Sequence, residues 1–85
     1  MKIIELAKPN TKIVNYFGLE IEVLTSVGYL CVNSDGSLIA WNVIPELFGD
    51  RYGVWFADGI LCESEYIASI DLEGIDWKTT LRKVS

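Results

Sequence analysis

Gly28-Tyr29-Leu30-Cys31-Val32-Asn33-Ser34-Asp35-Gly36-Ser37-Leu38-Ile39-Ala40-Trp41-Asn42-Val43 is the stretch that decides the fold. Two apolar runs, Gly28–Asn33 and Leu38–Val43, flank a polar Ser34–Ser37 break that carries Asp-Gly. That combination is a strong short-range signal for a β-hairpin. In the second run Leu38, Ala40 and Ile44 oppose Ile39, Trp41 and Val43, so the strand is apolar on both faces. A strand of this kind belongs in the middle of a two-layer core.

Period-2 patterning continues on both sides. Leu19-Glu20-Ile21-Glu22-Val23 alternates cleanly, with Lys12–Phe17 before it and Gly18 as the turn or bulge between. Tyr52–Ala57 and Ile60–Cys62 flank a second Asp-Gly, Asp58-Gly59, which predicts another hairpin with Trp55 facing away from Tyr52, Val54 and Phe56. Ser34–Leu38 and Ala57–Leu61 match at an offset of 23 residues, which two similar turns explain. Tyr66–Leu72 is a further strand, with Tyr66, Ala68, Ile70 and Leu72 in phase. The first residues (Ile3, Ile4, Leu6) read as a strand paired with Lys12–Phe17 through Lys8-Pro9-Asn10-Thr11.

Two segments depart from the pattern. Pro45–Asp50 suits one helical turn, with Pro45 at the first helical position and Gly49 past its end. At the C-terminus Asp76 can cap a helix in which Trp77, Leu81 and Val84 recur at helical spacing, with Arg82 and Lys83 at its cationic end. Two turns do not hold alone, so Trp77 and Leu81 must pack on the sheet. The expected class is mostly β: one domain over residues 1–85, a small antiparallel sheet in a partly open barrel with a short C-terminal helix. A two-layer α+β arrangement is the alternative.

Composition narrows the function. The chain has 85 residues, 51% of them hydrophobic, and ten aromatic rings, enough for a core. Its net charge is −5, its pI is near 4.5 and it has no histidine. A protein that coats nucleic acid needs a Lys/Arg excess, so direct nucleic-acid binding is not expected. Without histidine the Ser-His-Asp and Cys-His arrangements and the usual zinc sets are missing. Glu20/Glu22 and Glu63/Glu65 each share a strand face about 7 Å apart, a spacing that solvated amphipathic strands also produce. Asn33-x-Asp35-Gly36 is a fragment of a calcium loop without its bidentate Glu, and turn chemistry accounts for it. No phosphate-cradling glycine motif occurs. The expectation is therefore a protein without enzymatic activity, cofactor or metal.

Cys31 and Cys62 lie 31 residues apart in apolar runs, without C-x-x-C spacing. They read as reduced, buried thiols, with a disulfide as the alternative. No signal-peptide pattern or spanning segment is evident, so the expected location is the cytoplasm, without membrane association.

Charge is unevenly placed. Residues 1–12 sum to +2 and 77–85 to +3, whereas 13–76 sum to −10. Either the ends neutralise the acidic middle, or an acidic face built on Glu20, Glu22, Glu63 and Glu65 engages a basic partner as a mimic of a phosphate backbone. The aromatic surplus points to contacts as well. Strands apolar on both faces need a cover, which the Trp77 segment, a second copy or a partner protein would supply. A homodimer is expected on this ground, with Phe48, Arg51, Tyr52 and Trp55 as the contact patch.

The run Tyr66-Ile67-Ala68-Ser69-Ile70-Asp71-Leu72-Glu73-Gly74-Ile75-Asp76-Trp77-Lys78-Thr79-Thr80-Leu81 resembles a family of small uncharacterised proteins of tailed bacteriophages and prophages of enteric bacteria. Members start much like Met1–Phe17, carry a hairpin like Leu30–Trp41, and close on Asp-Leu-Glu-Gly-x-Asp-Trp. The family has no assigned activity, so the resemblance carries over no site residues. It implies an accessory protein in the host cytoplasm that binds a host protein, as an inhibitor or a counter-defence factor.

Overall fold

The computed structural model describes residues 10–47 and 53–84. Among the described residues eight strands follow in chain order: β1 (Thr11–Tyr16), β2 (Leu19–Leu24), β3 (Tyr29–Val32), β4 (Ser37–Trp41), β5 (Glu46–Leu47), β6 (Trp55–Phe56), β7 (Ser64–Ser69) and β8 (Arg82–Lys83). They form an antiparallel four-stranded sheet in the order β7-β4-β3-β8 and two antiparallel pairs, β1-β2 and β5-β6. The class is mostly β, and among the described residues no barrel closes.

β3 and β4 pair as the Asp-Gly signal requires, from Tyr29↔Trp41 to Val32↔Leu38. The turn is held by Asn33 N–H to the Ser37 carbonyl, Gly36 N–H to the Asn33 carbonyl and Ser37 N–H to Asp35 Oδ1, each at 2.9 Å. The backbone N–H of Ser37 on its carboxylate is the main reason Asp35 sits below the usual acid range. Gly36 has φ +88°, and a Cβ there would lie 2.5 Å from the Ile70 carbonyl oxygen. That carbonyl belongs to the chain just past β7, whose Ile70 N–H donates to the Gly36 carbonyl. A glycine is needed here for its conformation and for the close approach.

Each face of the β3-β4 hairpin has its own cover. Leu30, Val32, Leu38 and Ala40 pack against Val14, Tyr16 and Val23 of the β1-β2 hairpin, with Val27 beside them. On the other face Cys31 and Trp41 meet Trp55, with Tyr29, Ile39, Cys62, Trp77 and Leu81 around them. Trp55 and Trp77 stand edge to face, 6.5 Å between centroids. Trp55 Nε1–H donates to the Val32 carbonyl and Trp41 Nε1–H to Cys31 Sγ. Of the three covers expected for the apolar strand faces, the Trp77 segment is present on this one, together with Trp55.

Four local expectations change. The C-terminal helix is a single 3-10 turn, Trp77–Thr79, capped by the Asp76 carboxylate, which accepts from Lys78 N–H. Arg82 and Lys83 then form β8 on Tyr29 and Leu30. Trp77 and Leu81 face the second core and Val84 the first, so the helical spacing is shared between two faces of a sheet. Glu46 and Leu47 are strand, pairing with Phe56 and Trp55, instead of a helical turn; Pro45 is fully buried just before them. Ile60–Cys62 is no strand: Cys62 N–H closes a turn on Gly59, leaving Ile60 and Leu61 exposed. In β7 the register slips, since Leu38 pairs Ala68 but Ile39 pairs Tyr66. Ile67 is the extra residue, so Ile67, Ile70 and Leu72 pack on the core while Tyr66 is exposed. The N-terminal strand lies outside the described residues.

Candidate binding cleft

The acidic pairs occupy different elements. Glu20 and Glu22 alternate along β2, both exposed, with cross-strand partners Asn15 and Ile13. Glu63 and Glu65, also exposed, line a cleft of about 530 Å³ with Leu24, Ser26 and Asn42. Asn42 organises that edge: its amide donates to the Leu61 carbonyl at 2.6 Å, and its oxygen accepts from Glu63 N–H at 2.7 Å. The two pairs therefore sit on different elements: Glu20 and Glu22 on β2, Glu65 on β7 and Glu63 just before it.

Of the expected aromatic patch, only Trp55 falls among the described residues. Phe48, Arg51 and Tyr52 lie outside the described residues. Trp55 is buried in the second core with its indole N–H bonded, so it is a packing residue and no exposed anchor. Both cysteines are free thiols in that same core. Burial pushes the Cys31 thiol up to about 12. That is an inert thiol.

A second cleft, of about 360 Å³, is built by two tight turns far apart in sequence. Tyr16 and Leu19 are paired, so Phe17-Gly18 is a two-residue hairpin loop, with φ +50° and +82°. Leu72-Glu73-Gly74-Ile75 repeats the geometry, with φ +50° and +87° and Ile75 N–H donating to the Leu72 carbonyl at 2.8 Å. Positive φ at both central positions is the type I′ pattern, whose first place normally goes to Asn, Asp or Gly. A phenylalanine there is a backbone outlier, costing on the order of 1–3 kcal/mol.

Surrounding contacts hold Phe17 in that position. Its ring stands edge to face on Tyr16, 4.8 Å between centroids, and the Arg82 guanidinium lies 4.6 Å from its centre. Arg82 is itself fixed by donating from Nη1 to the Thr79 and Leu81 carbonyls, both at 2.8 Å. Phe17, Leu19 and Ile75 remain 46%, 47% and 44% exposed around the cleft. Tyr16, Val32 and Thr80 are the buried residues of its lining.

The polar groups of that lining are already engaged. Tyr16 donates its hydroxyl to the Thr80 carbonyl at 2.7 Å, and burial raises its phenol to about 12. Thr80 Oγ1 accepts from Val32 N–H at 2.9 Å and lies 2.7 Å from the Trp77 carbonyl, to which it donates. What faces solvent is apolar surface bordered by the carboxylates of Asp71 and Glu73. Asp71 Oδ1 accepts from Glu73 N–H, which fixes the rim. Such a surface can receive an apolar side chain and pair with a cation beside it. Sequence patterning placed Gly18 at a turn but took Phe17 as the end of a strand; the shared signal was the pair of X-Gly steps, Phe17-Gly18 and Glu73-Gly74.

Among the described residues no helix is long and apolar enough to cross a membrane. No protein-family model matches this chain, and comparison with curated proteins and with solved structures gives no significant match.

Proposed function

We propose that this chain is a non-enzymatic accessory protein that binds another protein, and that the cleft between the Phe17-Gly18 and Glu73-Gly74 turns is its contact surface. The observation that carries this reading is Phe17 itself. A bulky ring is held in a conformation that favours Asn or Gly, and it is left nearly half exposed. Strain kept where a smaller residue would relax it is a pointer to use. Exposed apolar side chains around a concave surface are what a protein contact needs.

The phage or prophage context, a host protein as target and an inhibitory or counter-defence role come with the family resemblance. A bacterial cytoplasm as the site of action fits two free thiols in a chain of this size. The test is affinity capture from host lysate with the native chain and with a Phe17→Asn, Ile75→Ser variant. A protein retained by the first and lost by the second supports the reading; equal retention, or none by either, overturns it.

An acidic mimic of nucleic acid is the second reading, favoured by the exposure of Glu20, Glu22, Glu63 and Glu65. It requires that binding fall steeply with salt and disappear when either pair is reversed to lysine. Binding that ignores both changes would eliminate it.

A further inference from the structure

We infer, resting on the protein-binding reading, that the cleft takes an apolar side chain flanked by arginine or lysine, so that the occupant is a basic segment of the partner protein. Three observations lead there. The walls are apolar and partly exposed: Phe17, Leu19, Leu72 and Ile75. The charged side chains of the lining are two carboxylates, Asp71 and Glu73. Arg82 stacks on Phe17 but does not line the cleft, and its Nη1 is committed to backbone carbonyls. Net charge points the same way, because the chain carries −5 and its middle is more acidic than the whole.

Charge complementarity therefore selects a cationic partner segment over an acidic one. Arg82 already covers one face of the Phe17 ring, so the occupant's cation pairs with the Asp71 and Glu73 carboxylates. A second copy of the chain would bring mostly acidic surface to an acidic rim, and is disfavoured for that reason.

The probes are three capped hexapeptides that share a Leu-Phe centre: one flanked by Lys and Arg, one by Ser and Gln, one by Asp and Glu. Amide chemical-shift mapping of the labelled full chain at low ionic strength reads both site and affinity. The basic peptide should shift Phe17–Leu19 and Asp71–Ile75 and bind about tenfold tighter than the neutral one, since each rim charge contributes modestly. The Asp71→Asn, Glu73→Gln variant should bring the two peptides together. If basic and neutral peptides bind the cleft equally, the preference for a cationic occupant is overturned while docking at the cleft stands. If none of the three shifts these residues, both fall. Shifts confined to Ser64 and Glu65 would move the site to the other cleft and also refute the inference.

Discussion

Thr80 connects the C-terminal turn to the sheet through a single hydroxyl. It is 2% exposed, and its Oγ1 accepts the Val32 N–H in the middle of the core while its carbonyl receives the Tyr16 hydroxyl. Thr80→Val keeps the shape and leaves the Val32 amide without a partner. The expected cost is about 1–3 kcal/mol in a urea titration, from the desolvated N–H. Thr80→Ser retains the hydroxyl and should cost about 1 kcal/mol for the lost methyl group. Equal losses in the two variants would show that packing, and not the hydrogen bond, is what Thr80 contributes. Gly36→Ala belongs to the same scale. Its Cβ would press on the Ile70 carbonyl and its φ is +88°, so a loss of more than about 1 kcal/mol is expected. A neutral result would mean that the β4–β7 connection yields easily.

At the scale of elements, the β1-β2 hairpin sets its register through the Phe17-Gly18 turn, of which the glycine alone is a turn residue in sequence. Phe17→Asn replaces a residue ill suited to positive φ by one that tolerates it. It also removes the aromatic pair with Tyr16, worth about 0.5–1.5 kcal/mol, and the exposed cation–π contact, worth about 0.5–1 kcal/mol. These terms oppose the relief of strain, so stability should stay within about 1 kcal/mol of the native chain. A thermal melt checks this, and a collapse would show that Phe17 is structural. What was legible beforehand follows the same division. The β1-β2 and β3-β4 hairpins could be read because alternation and turn lie side by side in sequence. β7 misled because the extra Ile67 reverses the alternation midway. β6 falls inside the expected Tyr52–Ala57 strand, but its pairing with β5, Glu46↔Phe56, could not be read because Pro45 and Gly49 suit a helical turn there. The helix expected from Trp77, Leu81 and Val84 gave way to β8 because Tyr29 and Leu30 on the edge of β3 offer backbone partners that a two-turn helix would leave unused. The cleft was invisible for a related reason: its two turns lie far apart in sequence and meet only in the folded chain.

For the molecule as a whole, two apolar layers share one central hairpin, and two buried titrating groups tie their stability to pH. Burial raises Cys31 from 9.0 to about 12 and Tyr16 from 10.0 to about 12. Above pH 9 the unfolded chain releases these protons while the folded chain keeps them, so the unfolded state binds fewer protons and stability falls as pH rises. The contribution is complete below pH 9 and is lost towards pH 12. Urea midpoints taken from neutral pH to pH 11 should decline, and less steeply in Cys31→Ala; parallel declines would remove Cys31 from the explanation.

The proposed contact surface lies directly over the first core, in a cleft floored by Tyr16 and Val32 whose deep polar groups are already bonded to the chain. The most direct measurement is an amide chemical-shift map of the labelled protein bound to the partner captured from host lysate. The expected result is perturbation centred on Phe17–Leu19 and Asp71–Ile75, absent when Phe17→Asn is used. Perturbation centred instead on Glu20 and Glu22, or on Ser64 and Glu65, with the Phe17 turn unmoved, would contradict it.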